Sequence, residues 1–476
     1  MKILATSCPN QGHLFPMLPT LWALRNAGHD VLVALPDRFA QVAVAAGLPA
    51  TSIADDFYLG DLGAKKASQG ASTGDLIDHV IDYYVPATKL TVQKTVDLAE
   101  TWRPDMVMCT DWEYSGPIAA ALLGIPTVLH GWGMLAQPEL KQPIADALAP
   151  VHHEWGLNNG APEHWRTIDN CPPSLQWTTP PDNAIASRYV PYNGSGAMEP
   201  WLFHKSEVPR VLVTLGNVPI KGDHAHVLRR TIQALLPFDI EVVIAAGDHL
   251  SVDQLGEVPR RTRLIRGLPL SHVVPTCDAV IHHGGAGSVM AATIAGVPQL
   301  GLPQMCVQYQ HADRIAEVGA GLVLHPEHAT VEAITASVEA LLEDKCMRAT
   351  VRRLQVENAS RPRLDQVVQL LESAFVSKPA PAGIPEPRSG STPYKGTHRA
   401  SVRMKPEPFT TPLLHPSSST SMSMPLSVTS RRQAIANATA AAAKRQQQSL
   451  VMSIGASRDS SHPVADYPHR AQGTVA

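Results

Sequence analysis

The chain has 476 residues, which is too long for one ordinary hydrophobic core, so we expect two domains and additional material. Its composition, 44% hydrophobic and 17% charged, is typical of a globular protein and excludes a fibrous or wholly disordered chain. The formal charge of −3 gives no reason to expect nucleic acid or an anionic membrane as a partner.

Targeting signals and cysteines bear on the compartment. The N-terminal sequence MKILATSCPNQGH reaches polar residues after a short apolar run, where a secretory signal would continue. No stretch offers the roughly 18 uninterrupted apolar residues of a membrane span. The six cysteines have neither paired nor metal-ligand spacing, so we expect no disulfide framework and no zinc site. A reducing cytoplasm is the predicted location.

Short apolar runs alternate with helix-length segments along the first 375 residues. In chain order, the runs span residues 2–6, 29–35, 105–109, 127–130, 210–214, 241–245 and 279–282. They lack strict apolar and polar alternation, a pattern that favours parallel strands covered by helices on both faces. Between the first two runs, Gly28 follows a predicted helix at the position where a left-handed residue ends it.

The strand pattern restarts near residue 208, after a stretch rich in Pro, Gly and Asn. We therefore predict an α/β protein with two doubly wound domains, 1–205 and 206–375, facing each other across a cleft. Ligands in such folds lie at the carboxyl ends of the strands. Residues 376–476, rich in Pro, Ser, Arg and Gln, predict a disordered tail.

The sequence HHGGAGS, residues 282–288, follows the last of these runs. Its glycines let the main chain turn sharply and bring bare amides against a ligand; they are Gly284, Gly285 and Gly287. Ser288 is predicted to cap a helix over 289–295, whose start attracts phosphate, and His283 could donate to the same anion. A tight strand-to-helix connection with a satisfied histidine explains the turn equally well when it is considered alone.

The surrounding residues resemble a known family. HHGGAGS, then AGVPQLGLPQ, then Gln308 and ADRIAEVGAG resemble the donor-binding signature of bacterial family 1 glycosyltransferases with the GT-B fold, which glycosylate macrolides and other antibiotics. The segments GHLFPMLP, SGPIAAALLGIP, RYVPYNG and PRVLVTLG agree with it, in order, over roughly residues 1–375. The resemblance implies an inverting enzyme, in which an acceptor hydroxyl displaces a nucleoside diphosphate from a sugar.

Such a reaction needs a base, because an alcohol is a poor nucleophile near neutral pH. His13, predicted in the loop after the first strand, matches the family's catalytic histidine. A carboxylate should orient it, and Asp111 lies one place from the position where relatives carry this acid. Glu113 is a second candidate. The alternatives are a helix-capping His13 and carboxylates without any catalytic role.

The donor nucleotide is predicted to contact several loops. The diphosphate site consists of His283, Gly285, Gly287 and Ser288. The resemblance places the nucleoside against Thr214, Gly216, Arg266 and Leu268. No Asp-x-Asp element stands at a plausible strand end, and Asp55 and Asp56 are adjacent in a polar loop. We therefore expect the helix start to stabilise the leaving diphosphate without a metal ion or other cofactor.

The sugar site departs from the pattern of glucose-using relatives. Those proteins carry Asp or Glu directly before the signature glutamine, whereas Val307 precedes Gln308 here. An unpaired sugar hydroxyl beside an isopropyl group would cost about 1 to 3 kcal/mol. A deoxysugar, carried by dTDP or UDP, is therefore predicted. His311 replaces an Asn that is common in relatives.

The acceptor is expected in the first domain, between apolar walls that include Trp112, Trp132 and parts of residues 57–86. These aromatic residues could equally be ordinary core. The resemblance predicts a hydrophobic aglycone and leaves open a homodimer or an auxiliary activator protein. Two other functions remain: a nucleotide-sugar 2-epimerase of the same fold, and a non-catalytic nucleotide-binding helper of a partner transferase.

Overall fold

A computed structural model describes residues 1–57, 72–216, 223–245, 255–305 and 307–376. Apart from Val376, the predicted tail at 376–476 lies outside the described residues. Within them, the chain forms two β-sheets whose strands are all parallel to their neighbours.

The first sheet contains seven strands in the described residues, in the order β3-β2-β1-β4-β5-β6-β7. They are β1 (Lys2–Thr6), β2 (Asp30–Pro36), β3 (Ala50–Ala54), β4 (Met106–Thr110), β5 (Thr127–His130), β6 (Arg166–Asp169) and β7 (Ala184–Ala186). The helices of this half are α1 (Gln11–Asn26), α2 (Asp37–Ala45), α3 (Thr73–Trp102), α4 (Ser115–Leu123) and α5 (Lys141–Glu154).

The second sheet contains six described strands, in the order β10-β9-β8-β11-β12-β13. They are β8 (Arg210–Thr214), β9 (Glu241–Ala245), β10 (Arg261–Ile265), β11 (Ala279–His282), β12 (Gln299–Gly301) and β13 (Gly321–Val323). The remaining described helices are α6 (Asp223–Leu235), α7 (Leu270–Val273), α8 (Ala286–Ala295), α9 (Val307–Glu317), α10 (Val331–Glu343), α11 (Lys345–Ser360) and α12 (Leu364–Val376).

The strand order places the loops of interest at the switch point of each sheet. In the first sheet, β1 lies between β2 and β4, so the loops after β1 and β4 leave neighbouring strands in opposite directions. In the second sheet, β8 lies between β9 and β11 in the same way, and Thr214 pairs with His282. Crevices at these carboxyl ends are where doubly wound sheets bind ligands.

The last helix does not belong to the half that the sequence predicts. Residues 364–375 fall inside the predicted second domain, 206–375, but Val367, Val368 and Leu371 are buried in the core beneath the first sheet. Because these residues form the apolar stripe of the helix, they can be buried against α1 in the other half. The continuous boundary at 375 therefore misplaces this segment.

Buried polar contacts hold the chain after the second sheet against the first half. The guanidinium of Arg361 pairs with the carboxylate of Asp169 at 2.6 Å and donates to the Ser187 carbonyl at 2.8 Å. The Asn358 side chain accepts from the Tyr189 amide at 2.8 Å. Removing one member of such a buried pair leaves an uncompensated charge, so these contacts fix the position of the returning chain.

We expect Leu371→Ala to lower the free energy of unfolding by about 2 to 5 kcal/mol, because it leaves a cavity in the first core. Leu371 is 0% exposed, whereas its neighbour Leu370 is 48% exposed, so Leu370→Ala is the matched control. The control should stay within about 0.5 kcal/mol of the parent. Thermal unfolding followed by circular dichroism measures both, and equal effects would contradict docking of this helix.

Candidate active site

The predicted base lies on a helix rather than in a loop. The side chain of Asn10 accepts a hydrogen bond from the Gly12 amide at 2.8 Å, and this cap starts α1 at Gln11. His13 is therefore in the first helical turn, which corrects its predicted position in the loop after the first strand. It does not cap the helix, since Asn10 does.

Aromatic rings enclose His13. Its imidazole stacks on Trp132 with centroids 4.0 Å apart, and the rings of Trp112 and Tyr84 lie at 5.4 and 5.8 Å. His79 on α3 contacts Tyr84 at 5.9 Å. We call these five residues the aromatic cluster.

The aromatic cluster arises from two strand ends and two helices, α1 and α3. Trp112 follows β4 in a left-handed conformation, with φ of 66°, and Trp132 follows β5. Both are 6% exposed and belong to the same apolar core as Tyr84. The structure thus brings the predicted acceptor residues Trp112 and Trp132 together with His13. Residues 58–71 of the predicted acceptor walls lie outside the described residues.

Asp111 meets His13 through its main chain. Burial lowers the pKa of His13 to about 3, and a hydrogen bond with the Asp111 backbone opposes this shift. The carboxyl group of Asp111 lies beside the Trp132 indole instead. Burial raises the pKa of this carboxyl to about 6, while the indole acts in the opposite direction. The described arrangement therefore places an acid near the base without a direct carboxylate–imidazole pair.

Glu113 has a different task. Its carboxylate accepts from the Ser115 amide at 2.8 Å and the Gly116 amide at 3.2 Å, and also from the hydroxyls of Ser115 and Thr6. These contacts satisfy the first amides of α4 and tie them to β1. Because both carboxylate oxygens are engaged there, Asp111 is the better of the two predicted partners for His13.

Several buried polar atoms around His13 have no hydrogen bond in the described part of the chain. They are Nδ1 of His13, Nδ1 of His79, Oδ2 of Asp111, Nε1 of Trp112 and Nε1 of Trp132. The Trp132 indole lies close enough to lower the pKa of the Asp111 carboxyl, but its N–H does not form a hydrogen bond with that group. Buried polar groups normally find partners, so such a concentration marks a place where a ligand or water completes the network.

The donor turn begins its helix earlier than predicted. Gly285 is the N-cap of α8, in an extended conformation with φ of −63° and ψ of 137°, so Ser288 is the third helical residue. The predicted cap at Ser288 and helix start at Val289 are therefore wrong. A glycine at this position is favourable because it lets the turn close tightly, and it supplies no side-chain acceptor to the first amides. This helix start can receive an anion.

The two adjacent histidines have different environments. His282 is 0% exposed; its Nδ1 accepts from the Gly284 amide at 2.9 Å, so its Nε2 donates to the Gln299 side chain at 2.7 Å. Burial lowers the pKa of His282 to about 4, which keeps it neutral. This residue shapes the turn, whereas His283 is only partly buried at the head of the helix.

Two glycines leave space for the ring of His283. A Cβ at Gly216 would lie 2.7 Å from its ring, and one at Gly285 would overlap the ring. A Cβ at Gly284, where φ is 81°, would strike the main chain of Gln308. Residues predicted for the diphosphate, nucleoside and sugar sites therefore converge on one turn.

The remaining predicted nucleoside residues lie at the carboxyl ends of two strands of the second sheet, β8 and β10. Thr214 ends β8, and its hydroxyl accepts from the Gly216 amide at 3.4 Å. Leu268 buries its side chain in the second core, while the side chain of Arg266 is exposed. Asn193 was not predicted; its side chain is 3.9 Å from the position of a Cβ at Gly287. The Tyr-Asn-Gly motif before the junction was the available signal.

The predicted sugar residues face the aromatic cluster. Val307 packs against the apolar core that contains Trp112 and Trp132. The Gln308 side chain accepts from the Gln304 amide at 3.0 Å, which holds the loop before α9. Val307 thus packs against the apolar core, while the main chain of Gln308 lies against Gly284 of the donor turn.

His311 connects the same regions. Its Nδ1 hydrogen-bonds with the Gly284 carbonyl at 3.1 Å, and its ring lies 6.1 Å from Trp132 and stacks on Trp177 at 5.4 Å. A chain of contacts through Trp132 and His311 therefore links the predicted base to the predicted donor turn.

The described residues contain no cluster of three or more His, Cys, Asp or Glu that could hold a metal ion. Metal independence stays a prediction. No described helix is long and apolar enough to cross a membrane.

Comparison with known proteins identifies the family. Residues 22–216 match the N-terminal domain, and residues 229–374 the C-terminal domain, of the erythromycin biosynthesis protein CIII-like family. An L-demethylnoviosyl transferase of Streptomyces niveus is 38% identical over 374 residues, which cover 76% of this chain and 95% of that protein. The chain belongs to this family of glycosyltransferases. An elloramycin glycosyltransferase of Streptomyces olivaceus is 33% identical, covering 79% of this chain and 98% of that protein.

Solved structures of such glycosyltransferases share the architecture. A spinosyn rhamnosyltransferase complexed with thymidine diphosphate aligns with a TM-score of 0.70 and 31% identity, over 78% of this chain and 100% of that chain. The same transferase complexed with spinosyn aglycone gives a TM-score of 0.70 and 30% identity, with the same coverage. The predicted GT-B fold and transferase class are confirmed. The site residues remain predictions.

We expect His282→Ala to destabilise the protein, because it leaves the Gly284 amide and the Gln299 side chain buried without their partner. Each such group costs about 1 to 3 kcal/mol, so the melting temperature should fall by several degrees. The control is His272→Ala, since His272 is exposed in the same half. A variant that melts with the parent would contradict a structural role for His282.

Proposed function

We propose that this glycosyltransferase moves a deoxysugar from a thymidine diphosphate carrier to a hydroxyl of a hydrophobic aglycone in antibiotic biosynthesis. One observation carries the proposal. His13 stacks on Trp132, which neighbours His311, and His311 bonds to Gly284 in the donor turn. A continuous chain of contacts therefore links the proposed general base to the helix start that can receive the diphosphate.

Relatives support the choice of substrates. One relative is by name a tylactone mycaminosyltransferase and another an aclacinomycin-T 2-deoxy-L-fucose transferase. A glycosyltransferase from Streptomyces sp. SF2575, 30% identical, was also solved with thymidine diphosphate. The apolar Val307 beside the donor turn agrees with a sugar that lacks a hydroxyl there.

The reaction is a direct displacement with inversion. His13 accepts the proton of the acceptor hydroxyl as its oxygen attacks the anomeric carbon, and the carbon–oxygen bond to the diphosphate breaks. Amides at the start of α8 and the imidazole of His283 stabilise the charge on the departing diphosphate. Asp111, whose main chain hydrogen-bonds to His13, supplies a negative charge that favours the transient imidazolium. No metal ion is required in this scheme.

The acceptor cannot reach the base in the described conformation, because His13 is 1% exposed. Trp132 is the ring stacked on it, and glycines flank this residue on both sides. Gly133 has φ of 136°, where glycine is favoured. We infer that Trp132 moves aside when the aglycone binds and then forms one wall of its site.

Other assignments have less support. Nothing in the site favours the 2-epimerase, which would need no aglycone, and the relatives named above are transferases. A non-catalytic helper would not explain five orphaned buried atoms around a histidine. Cytoplasmic location, a homodimer and an activator protein remain predictions.

The central test combines dTDP- and UDP-sugars with a set of hydrophobic aglycones, followed by mass spectrometry. We expect transfer from a dTDP-deoxysugar, unchanged by EDTA. His13→Ala should lower the rate by about 10² to 10⁴, the usual contribution of a positioned base, without changing the Kd for dTDP. His283→Ala should instead weaken dTDP binding.

His272 is exposed and again supplies the control, since His272→Ala should change neither the transfer rate nor the Kd for dTDP. Full activity of His13→Ala would exclude it as the base. Loss of transfer in EDTA, restored by a divalent cation, would refute metal independence.

We expect Val307→Asp to raise the kcat/KM for dTDP-glucose relative to the matching dTDP-6-deoxyglucose by about tenfold, because a carboxylate can accept from the extra hydroxyl. Val307→Leu keeps the site apolar and should preserve the preference of the parent. Steady-state kinetics with both donors measures the ratio. If the ratio of the two kcat/KM values is unchanged in the Asp variant, residue 307 does not select the sugar.

A further inference from the structure

A second imidazole lies next to the base without any assigned role. His79 is half-buried on α3, and its Nδ1 is buried without a hydrogen bond in the described part of the chain. Its ring lies 4.4 Å from that of Tyr83 and 5.9 Å from that of Tyr84. Tyr84 in turn contacts His13 and Trp112. His79 therefore belongs to the wall that surrounds the base.

The environment keeps His79 uncharged. Burial lowers the pKa of His79 to about 4, and its proximity also lowers the pKa of His13. A neutral imidazole offers one donor and one acceptor nitrogen. Since no described protein group bonds to Nδ1, a ligand polar group is the natural partner.

The neighbouring side chains form buried, aromatic and apolar walls. Trp112, Trp132 and Tyr84 present aromatic rings around the same site, and such rings bind planar aromatic groups by offset or edge contacts. An aglycone that enters here meets apolar walls with only a few polar atoms. In such a site, the polar atoms determine orientation.

We propose that His79 is an acceptor-binding residue that hydrogen-bonds a second polar group of an aromatic aglycone, adjacent to the hydroxyl that receives the sugar. This inference rests on the proposed function, since it assumes that the acceptor binds beside His13. It adds a substrate feature: the preferred aglycone carries two neighbouring polar groups. With one group on His79, the other faces the base.

The test compares 2-naphthol with 2,3-dihydroxynaphthalene, which differ by the second hydroxyl. Quenching of tryptophan fluorescence gives the Kd of each probe, and mass spectrometry gives transfer. We expect the parent to bind the diol about tenfold more tightly, more than the factor of two that a second equivalent hydroxyl allows. In His79→Phe, the preference should fall to about twofold, while the Kd for dTDP, which binds at the donor turn, stays unchanged.

Two variants test the explanation. His79→Gln keeps a donor and an acceptor and should retain most of the preference, and His328→Phe changes a histidine whose side chain is 75% exposed and should retain all of it. Full preference for the diol in His79→Phe would overturn the proposal. So would failure of both probes to bind, because the aromatic cluster would then not be the acceptor site.

The two levels of inference can fail separately. If the probes bind with the expected dependence on His79 but no donor sugar is transferred to any acceptor, the proposed function fails and the binding site remains. If sugar is transferred but the preference ignores His79, only the role of His79 is lost.

Discussion

Three glycines determine how closely the segments of the predicted donor site pack together. At Gly216 and Gly285 a Cβ would meet the ring of His283, and at Gly284 it would strike the main chain of Gln308. The turn, the end of β8 and the start of α9 can therefore approach each other closely. The Nδ1 atom of His282 accepts a hydrogen bond from the Gly284 amide and so stabilises this arrangement. The helix start that is predicted to bind the diphosphate is thus positioned by backbone packing, and a side chain in this space would push these segments apart.

On the predicted acceptor side, by contrast, large aromatic rings fill the space around His13. Removing water from this site strengthens every remaining electrostatic interaction and makes each unpaired polar atom costly. The apolar rings can be accommodated in any core, but the orphaned nitrogens and carboxylate oxygen cannot be explained by stability. The two sides meet at Trp132 and His311, so chemistry at one influences the shape of the other.

Much of this arrangement follows from local sequence. The apolar runs at 2–6, 127–130, 210–214, 241–245 and 279–282 coincide with observed strands, because residues buried on both faces leave a continuous apolar signal. Six described strands, β3, β6, β7, β10, β12 and β13, were not predicted. Most of them have only three or four residues, and β10 contains exposed arginines. Motifs located His13 and the donor turn. Sequence could not show that Glu113 caps α4, that α12 returns to the first half or that His79 faces the base, because these depend on long-range packing.

The low pKa of His13 is compatible with its proposed role as a base once the order of events is considered. Burial under the aromatic cluster lowers that pKa in the closed site, and the same burial raises the pKa of the nearby Asp111 carboxyl. Both shifts come from the loss of water and disfavour charge. An imidazolium beside a carboxylate is a compensated pair, so each ionised group favours the other when the acceptor proton is transferred. With a pKa of about 6, the Asp111 carboxyl is largely ionised near neutral pH, so in the proposed reaction a negative charge is already present in the site when His13 takes up the acceptor proton.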